Sequence, residues 1–390
     1  MNRYRLVQLD SIDQLRAAAP VWDDLWWRSD VAFPTYRAEL VAQWVEQFAP
    51  GEEFRALVVA DQRQWVAALP LVSRKLCKVI RACELPLNEW ISRGEVLWDA
   101  AADADAVMDL LAQATADLPR QLLWFDEVPL DAPRWQALVR ALARAGMTVE
   151  IRPRYCVGRM TIDHDWQAYR RHWSRKHRQA MSRLARRLSD RGEVQLTTLG
   201  QLAPDQVEEW MRQAFEVEDR SWKGGAGSSV LRWPGMFAFF NRQAEQLAEW
   251  GQLALHFLEA QGHPIAFAYG MQAKGVYHSC KIGYDAEYAA YAPGQLLRCR
   301  MLEAFHDDPQ CRAVDFIGPM TEAHRQWRPD TYRLGRVLVA PRRGLGRTFL
   351  RGYQRFGPLL RRLRGKTDPD HSATESMPTV PDRDSVVQPR

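Results

Sequence analysis

The stretch from Leu253 to Gly283 constrains the fold more than any other. Three strand-length apolar runs, Leu253 to Glu259, Pro264 to Gln272 and Val276 to Gly283, follow one another across short turns. Strands joined this closely pair antiparallel, because a parallel partner needs a crossover of a dozen or more residues. Helical patterns precede this meander, at Asp165 to Arg191 up to Gly192, Pro204 to Arg220 and Trp233 to Trp250. A helix to about His306, a strand Ala313 to Ile317 and a strand around Arg333 to Ala340 follow it. The pattern is that of an α/β chain with a largely antiparallel sheet.

The first half reads in similar terms. A strand at Tyr4 to Leu9 and helices around Trp22 to Trp27 and Thr35 to Phe48 lead into a hairpin, Phe54 to Ala60 and Gln64 to Ser73, turning at Asp61-Gln62-Arg63. A helix Ala101 to Leu118, a strand Gln121 to Glu127 and a helix Ala132 to Ala145 ending at Gly146 complete it. The segments from Val58 and from Phe257 are both strand, tight turn, strand, and share Gln62 with Gln261 and Ala67 with Ala266. Hairpins in general look alike, so these identities alone leave an internal duplication open.

A chain of 390 residues, 46% hydrophobic, has enough apolar surface for two cores. Its six cysteines stand singly, without C-x-x-C pairs or a His at zinc-ligand spacing, so neither a metal site nor a disulfide framework is expected and a reducing, cytoplasmic setting fits best. No uncharged apolar run approaches the ~20 residues of a membrane span. The net charge of +5 is unevenly spread. Arg170 to Arg191 holds a single acid, Asp190, and Pro341 to Lys366 holds none, so both segments should attract phosphates. In the second, Arg347, Arg351 and Arg355 recur beside Phe349, Leu350, Tyr353 and Phe356, the profile of a helix peripheral to an anionic membrane face, although Gly352 and Gly357-Pro358 should interrupt it. From Thr367 the chain is rich in Pro, Asp and Ser and reads as a disordered tail.

Several residues carry chemistry. Tyr291-Ala292-Pro293-Gly294-Gln295-Leu296 opens a helix with no Ser, Thr, Asp or Asn to cap it. Pro293 suits the first helical position, and the open N–H groups of the first turn form either an anion site or a hydrated helix start. In the strand from Val276, His278, Cys280 and Ile282 alternate with Tyr277, Ser279 and Lys281. His278 titrates in the right range for a general base, yet a strand histidine is more often packed. Asp315 ends a strand where α/β sheets present ligands, and serves equally well as a helix cap. Trp222 and Lys223, before a glycine-rich run, read as a binding loop, and Lys281 joins them as a candidate substrate contact.

The order of these pieces resembles the GNAT acyltransferase superfamily in its FemAB-like and CelD-like branch. The matching pieces are Trp173-Ser174, Lys176 to Arg178, Arg183-Leu184 and Arg186-Arg187-Leu188, then Ser221-Trp222-Lys223-Gly224, His263-Pro264-Ile265-Ala266, Pro293-Gly294 with Leu296-Leu297, and Asp315-Phe316 with Gly318 and Trp327. Two departures stand out: His324-Arg325-Gln326 replaces the branch's Tyr-Lys pair, and Gly294 has no second glycine nearby. The resemblance implies tandem GNAT-like domains, each a mixed, mostly antiparallel sheet flanked by helices. The first, 1–158, would be degenerate and the second, 159–340, catalytic, followed by the basic segment 341–366 and the tail 367–390. It implies acetyl-CoA or another acyl-CoA as cosubstrate, with its pyrophosphate at Tyr291 to Leu296 and its pantetheine along the strand from Val276. The acceptor would be an amine or hydroxyl, small or sugar-linked as in exopolysaccharide or envelope synthesis. The alternatives are an aminoacyl-tRNA-dependent transferase and a non-enzymatic phosphate- or nucleic-acid-binding module.

Overall fold

The computed structural model describes residues 3–76, 79–88, 90, 93–200 and 202–364, so the tail from 367 lies outside the described residues. Among these, the strands are β1 (Arg5–Leu9), β2 (Phe54–Ala60), β3 (Trp65–Leu76), β4 (Ile80–Glu84), β5 (Leu97–Trp98), β6 (Leu122–Pro129), β7 (Thr148–Thr161), β8 (Val194–Leu199), β9 (Leu253–Ala260), β10 (His263–Ala273), β11 (Val276–Tyr284), β12 (Ala313–Pro319) and β13 (Asp330–Ala340). They form one sheet in the order β1-β2-β3-β4-β6-β13-β7-β12-β11-β10-β9-β8, with β5 beside β3. Two pairs, β4 with β6 and β11 with β12, are parallel; the other pairs are antiparallel.

That order is two copies of one arrangement meeting at β13 and β7. Strands β1-β2-β3-β4-β6 correspond to β8-β9-β10-β11-β12, and each half lends its last strand to the other's sheet. The hairpins β2–β3 and β9–β10 hold corresponding places with the same register. Val59 faces Ala67 as Leu258 faces Ala266, and Phe54 faces Val72 as Leu253 faces Met271. Each also shifts register beside its turn. The duplication left open by two identities is therefore present in the pairing pattern.

The exchange also joins the cores. Val337 and Val339 of β13 pack with Leu57, Leu69, Leu111 and Trp135 of the first half, while Met160 of β7 and Ile162 just after it pack with Leu297, Met301 and Phe305 of the second. A further cluster contains Trp22, Tyr36 and Phe54 together with Phe215, Phe240 and Phe267. The border expected between residues 158 and 159 falls inside β7, so the chain does not divide cleanly there.

Two helical expectations need correction. The helix expected across Asp165 to Arg191 is broken into Trp166–Arg171 and Arg175–Ser189, because Ser174 caps the second, its Oγ accepting the His177 N–H at 3.1 Å. The C-terminal helix runs unbroken over Leu345–Arg364, through Gly352 and Gly357-Pro358. Its apolar residues Phe349, Leu350 and Tyr353 pack on Ile80, Ala82, Leu122 and Leu338, so this face covers the sheet rather than a lipid surface. No helix among the described residues is long and apolar enough to cross a membrane.

Candidate active site

β11 and β12 pair only over Val276–His278 against Ala313–Asp315. Beyond that point both strands are bent. β11 pairs with β10 through a register shift between Tyr269 and Gly270, which leaves Cys280 as the extra residue of a bulge. In β12, Ile317 has a φ of 60°, a conformation that costs a β-branched residue about 1–3 kcal/mol. Asp315 holds it there, since its Oδ1 accepts the Ile317 N–H at 2.9 Å. The carboxylate, fully buried, is itself fixed by Arg93 from the first half at 3.0 Å and by the Tyr332 hydroxyl of β13 at 3.1 Å.

Because the strands part, a cavity of about 940 Å³ opens between them, lined by Ser279 to Ile282 on one side and Phe316 to Pro319 on the other. The bulge explains a correction. Simple alternation would put Lys281 and Ile282 on opposite faces, yet all four residues from Ser279 to Ile282 line the cavity.

Two expected substrate contacts, Lys223 and Lys281, also line this cavity and meet at one carboxylate. Lys223 Nζ donates to Glu218 Oε1 at 2.9 Å, and Lys281 Nζ stands 3.8 Å from the same oxygen, over the rings of Trp90 and Phe240. Burial pushes the Lys281 ammonium down to about 8, against the pull of Glu218. Burial opposes ionisation of Glu218 too, but the two lysines hold it below its ordinary range. Trp222, by contrast, is exposed and outside the lining, which leaves it no contact with the cavity.

His278 does not reach the cavity. It is 2% exposed, its ring packs on Phe33, and burial pushes it down to about 3. An imidazole sealed in this way stays neutral and has no path to a proton on a bound acceptor, contrary to the expectation from its type. Asp315 likewise lies behind the wall, where it shapes the strand that forms the lining.

The helix Pro293–Asp307 starts as expected, with Pro293 in its first turn and no side-chain cap. Ala292 is left-handed, at φ 48° and ψ 55°. Gly294 lies near Ile282 and Tyr284, and a Cβ there would meet both only at ordinary contact distance. Arg187 and Arg191 flank Tyr291, and Arg191 donates to its hydroxyl at 3.1 Å. Gln295 accepts from the Trp327 indole at 3.0 Å, and Leu296 is buried, so these two support the helix start rather than face a ligand. The corresponding helix of the first half, Ala104–Ala116, is closed by Asp103, whose Oδ1 accepts the N–H groups of Asp105 and Ala106 at 3.1 and 3.2 Å.

Much of the rest of the lining comes from the first half and from β13, which the sequence did not point to. Glu127 of β6, at φ 51°, takes hydrogen bonds from the Tyr155 hydroxyl and, at 2.5 Å, from Arg154. Burial pushes its carboxyl up. Asp126 pairs with Arg154 and Arg336, and Glu84 with Arg74. The one available signal was Asp126-Glu127 at a strand end, too common a pattern to single out.

A sheet with a parted parallel strand pair and an uncapped helix between those strands in sequence defines a class, and comparison bears it out. Residues 175–327 match the acetyltransferase (GNAT) domain family. The second half of the chain thus carries a GNAT domain, within a fold whose two halves share one strand arrangement. Among solved structures the chain is similar to FemX, at 11% identity and a TM-score of 0.58, covering 90% of this chain and 99% of that one. It is also similar to the C-terminal domain of a putative lysylphosphatidylglycerol synthetase from Agrobacterium fabrum, at 11% identity, TM-score 0.52, covering 84% and 92%. A third is a conserved protein of unknown function from Bacteroides thetaiotaomicron, at 12%, TM-score 0.51, covering 87% and 100%. At these identities the likeness is one of fold. No curated protein matches the chain.

Proposed function

We propose that the protein is an acyl-CoA-dependent acyltransferase that moves an acetyl or related acyl group to an amine or hydroxyl held in the cavity. The observation that carries this reading is the asymmetry of the two helix starts. Asp103 fills one with its own carboxylate, while the start at Ala292-Pro293-Gly294 is uncapped, flanked by Arg187 and Arg191, and borders the parted strand β11. The Gln295 and Leu296 N–H groups donate to the Ala292 carbonyl, but the Gly294 N–H makes no hydrogen bond among the described residues, and it and the positive end of the helix suit a pyrophosphate. Past His278, the backbone groups of β11 that face β12 have no ladder partner among the described residues, so they are free to bond an extended pantetheine arm.

In this reading the cavity aligns the acceptor with the thioester. The acceptor nitrogen or oxygen bonds to the acyl carbon, the carbon–sulfur bond breaks, and the acceptor's proton passes by a base or water to the leaving thiolate. Proximity and backbone N–H groups near the carbonyl oxygen supply most of the acceleration. A sugar-linked acceptor from exopolysaccharide or envelope synthesis, met on the cytoplasmic side, is the acceptor class implied by the CelD-like resemblance. The test is calorimetric titration with acetyl-CoA, followed by a panel of acyl-CoAs and acceptors monitored for released thiol. No heat and no thermal stabilisation with any acyl-CoA would overturn the proposal.

One observation favours a second reading, transfer from an aminoacyl-tRNA. Arg175, Lys176, Arg183, Arg186 and Arg187 are exposed on one helix. A salt-sensitive gel shift with tRNA, lost when these are changed to Ala, supports that donor.

A further inference from the structure

The charged groups of the cavity, Glu52 among them, are unevenly paired. Asp126 and Glu127 share Arg154, Asp126 also pairs with Arg336, and Glu84 has Arg74. At the other wall two cations, Lys223 and Lys281, share the single carboxylate of Glu218. That carboxylate is already committed on both oxygens, Oε1 to Lys223 and Oε2 to the Val230 N–H at 2.9 Å. Lys281 makes no hydrogen bond among the described residues; its nearest carboxylate oxygen is at 3.8 Å, and its remaining contacts are the faces of Trp90 and Phe240. Its side chain is 13% exposed. A largely buried ammonium normally has acceptors for its three donors. This one, lining a cavity beside a second lysine, has donors to spare.

We infer that Lys281 and Lys223 form an oxyanion-binding subsite, so that the acceptor of the acyl group carries a carboxylate or a phosphoryl group beside its nucleophile. The inference rests on the acyltransferase reading for the role of the cavity, and on the charge arrangement for the chemistry. Lys281 lies three residues past His278, where β11 parts from β12, so the anion is gripped next to the place where the thioester would lie. A neutral sugar or simple alkyl amine would leave Lys281 without an anionic oxygen at hydrogen-bond distance.

The test uses the full chain saturated with acetyl-CoA, so that the helix start is filled. Sodium phosphate and sodium malonate are titrated at matched ionic strength against chloride, and the melting temperature is followed. One of the two oxyanions should stabilise the protein beyond chloride, phosphate leading for a phosphoryl acceptor and malonate for a carboxylate. The apparent affinity should fall by about tenfold or more in Lys281→Met, a loss characteristic of one ion pair, and should be largely restored in Lys281→Arg. If Lys281→Met does not fold, Lys223→Met carries the same expectation. The inference is overturned if neither oxyanion exceeds chloride or if the response survives the lysine substitution. Should acetyl-CoA produce no shift of its own, the donor reading fails separately. The anion titration is then read in Gly294→Asp, where a carboxylate occupies the helix start.

Discussion

Replacing Gly294 with Asp tests the donor site at the first turn of its helix. A Cβ at this position would lie 3.6 Å from the Tyr284 ring and 3.9 Å from Ile282, so the side chain fits without displacing either. In the first turn of the helix Pro293–Asp307 an acid is favourable to the fold by about 0.3–1 kcal/mol, and losing a glycine from a helix adds about 0.5–1 kcal/mol. The variant should therefore melt no lower than the parent. Its effect on donor binding has the opposite sign. A carboxylate about 5 Å from one pyrophosphate charge, at an effective dielectric of about 20, repels it by roughly 3 kcal/mol, which is about two orders of magnitude in Kd. Calorimetric titration of acetyl-CoA into both proteins measures this directly, and Gly294→Ala, with the same Cβ and no charge, should bind within a few-fold of the parent. A folded Gly294→Asp variant with unchanged affinity would refute the placement of the pyrophosphate at this helix.

Further outcomes follow from the buried polar groups. Asp315→Ala leaves Arg93 buried without its partner and removes the acceptor that holds Ile317, so chemical denaturation should show a loss of about 3–5 kcal/mol; a loss below about 1 kcal/mol would contradict the role given to Asp315. Lys274 donates to the carbonyls of Trp26, Ser29 and Val31 and so ties the turn between β10 and β11 to the first half; Lys274→Met should cost about 2–4 kcal/mol by the same assay. His278 is pushed down to about 3 in the folded chain, below its ordinary value near 6.5, so the unfolded chain binds the extra proton first. Stability from this group is present above about pH 6.5 and is lost as pH falls toward 3, by roughly 2 kcal/mol at pH 5. The drop in stability from pH 7 to pH 5 should shrink by about that amount in His278→Leu, and an unchanged drop would show that His278 is not the titrating group.

How much of this was legible in sequence depended on distance along the chain. The meander β9–β10–β11 and the helix after it were read to within about two residues, because alternation, tight turns and Pro-Gly are local signals. β7 was not read at all. It is the longest strand of the sheet, but Pro153 interrupts its pattern, and that proline is tolerated only because the register with β13 shifts beside it, between Leu334 and Gly335. Ser174 was visible as a residue inside a basic run, yet its function as a cap depends on the chain turning there. Of the expected site residues, Lys223 and Lys281 converge on one carboxylate, whereas His278 was chosen by the titration range of its type. Burial decided otherwise, and burial is set by Phe33 from the other half of the chain.

The exchange of β7 and β13 accounts for what sequence could not supply. It brings Tyr155 and Arg154 of β7, Arg336 of β13 and Glu127 of β6 to the wall of a cavity whose other wall is β11 and β12. Arg336 lies more than a hundred positions from the other three, and Glu127 is 27 residues from Arg154 across an intervening helix, so no spacing rule connects them. The exchange also explains why a half that has closed its own helix start with Asp103 still shapes the site. Arg93 from that half neutralises Asp315, and Asp315 holds Ile317 in the conformation adopted where β12 has parted from β11 and the cavity opens. If the first half supplied only bulk, a salt bridge reaching from it to a fully buried carboxylate beneath the cavity wall would be a costly way to provide it, since buried pairs of this kind contribute little net stability. Its value lies in position: it couples the shape of the strand gap to the docking of the two halves.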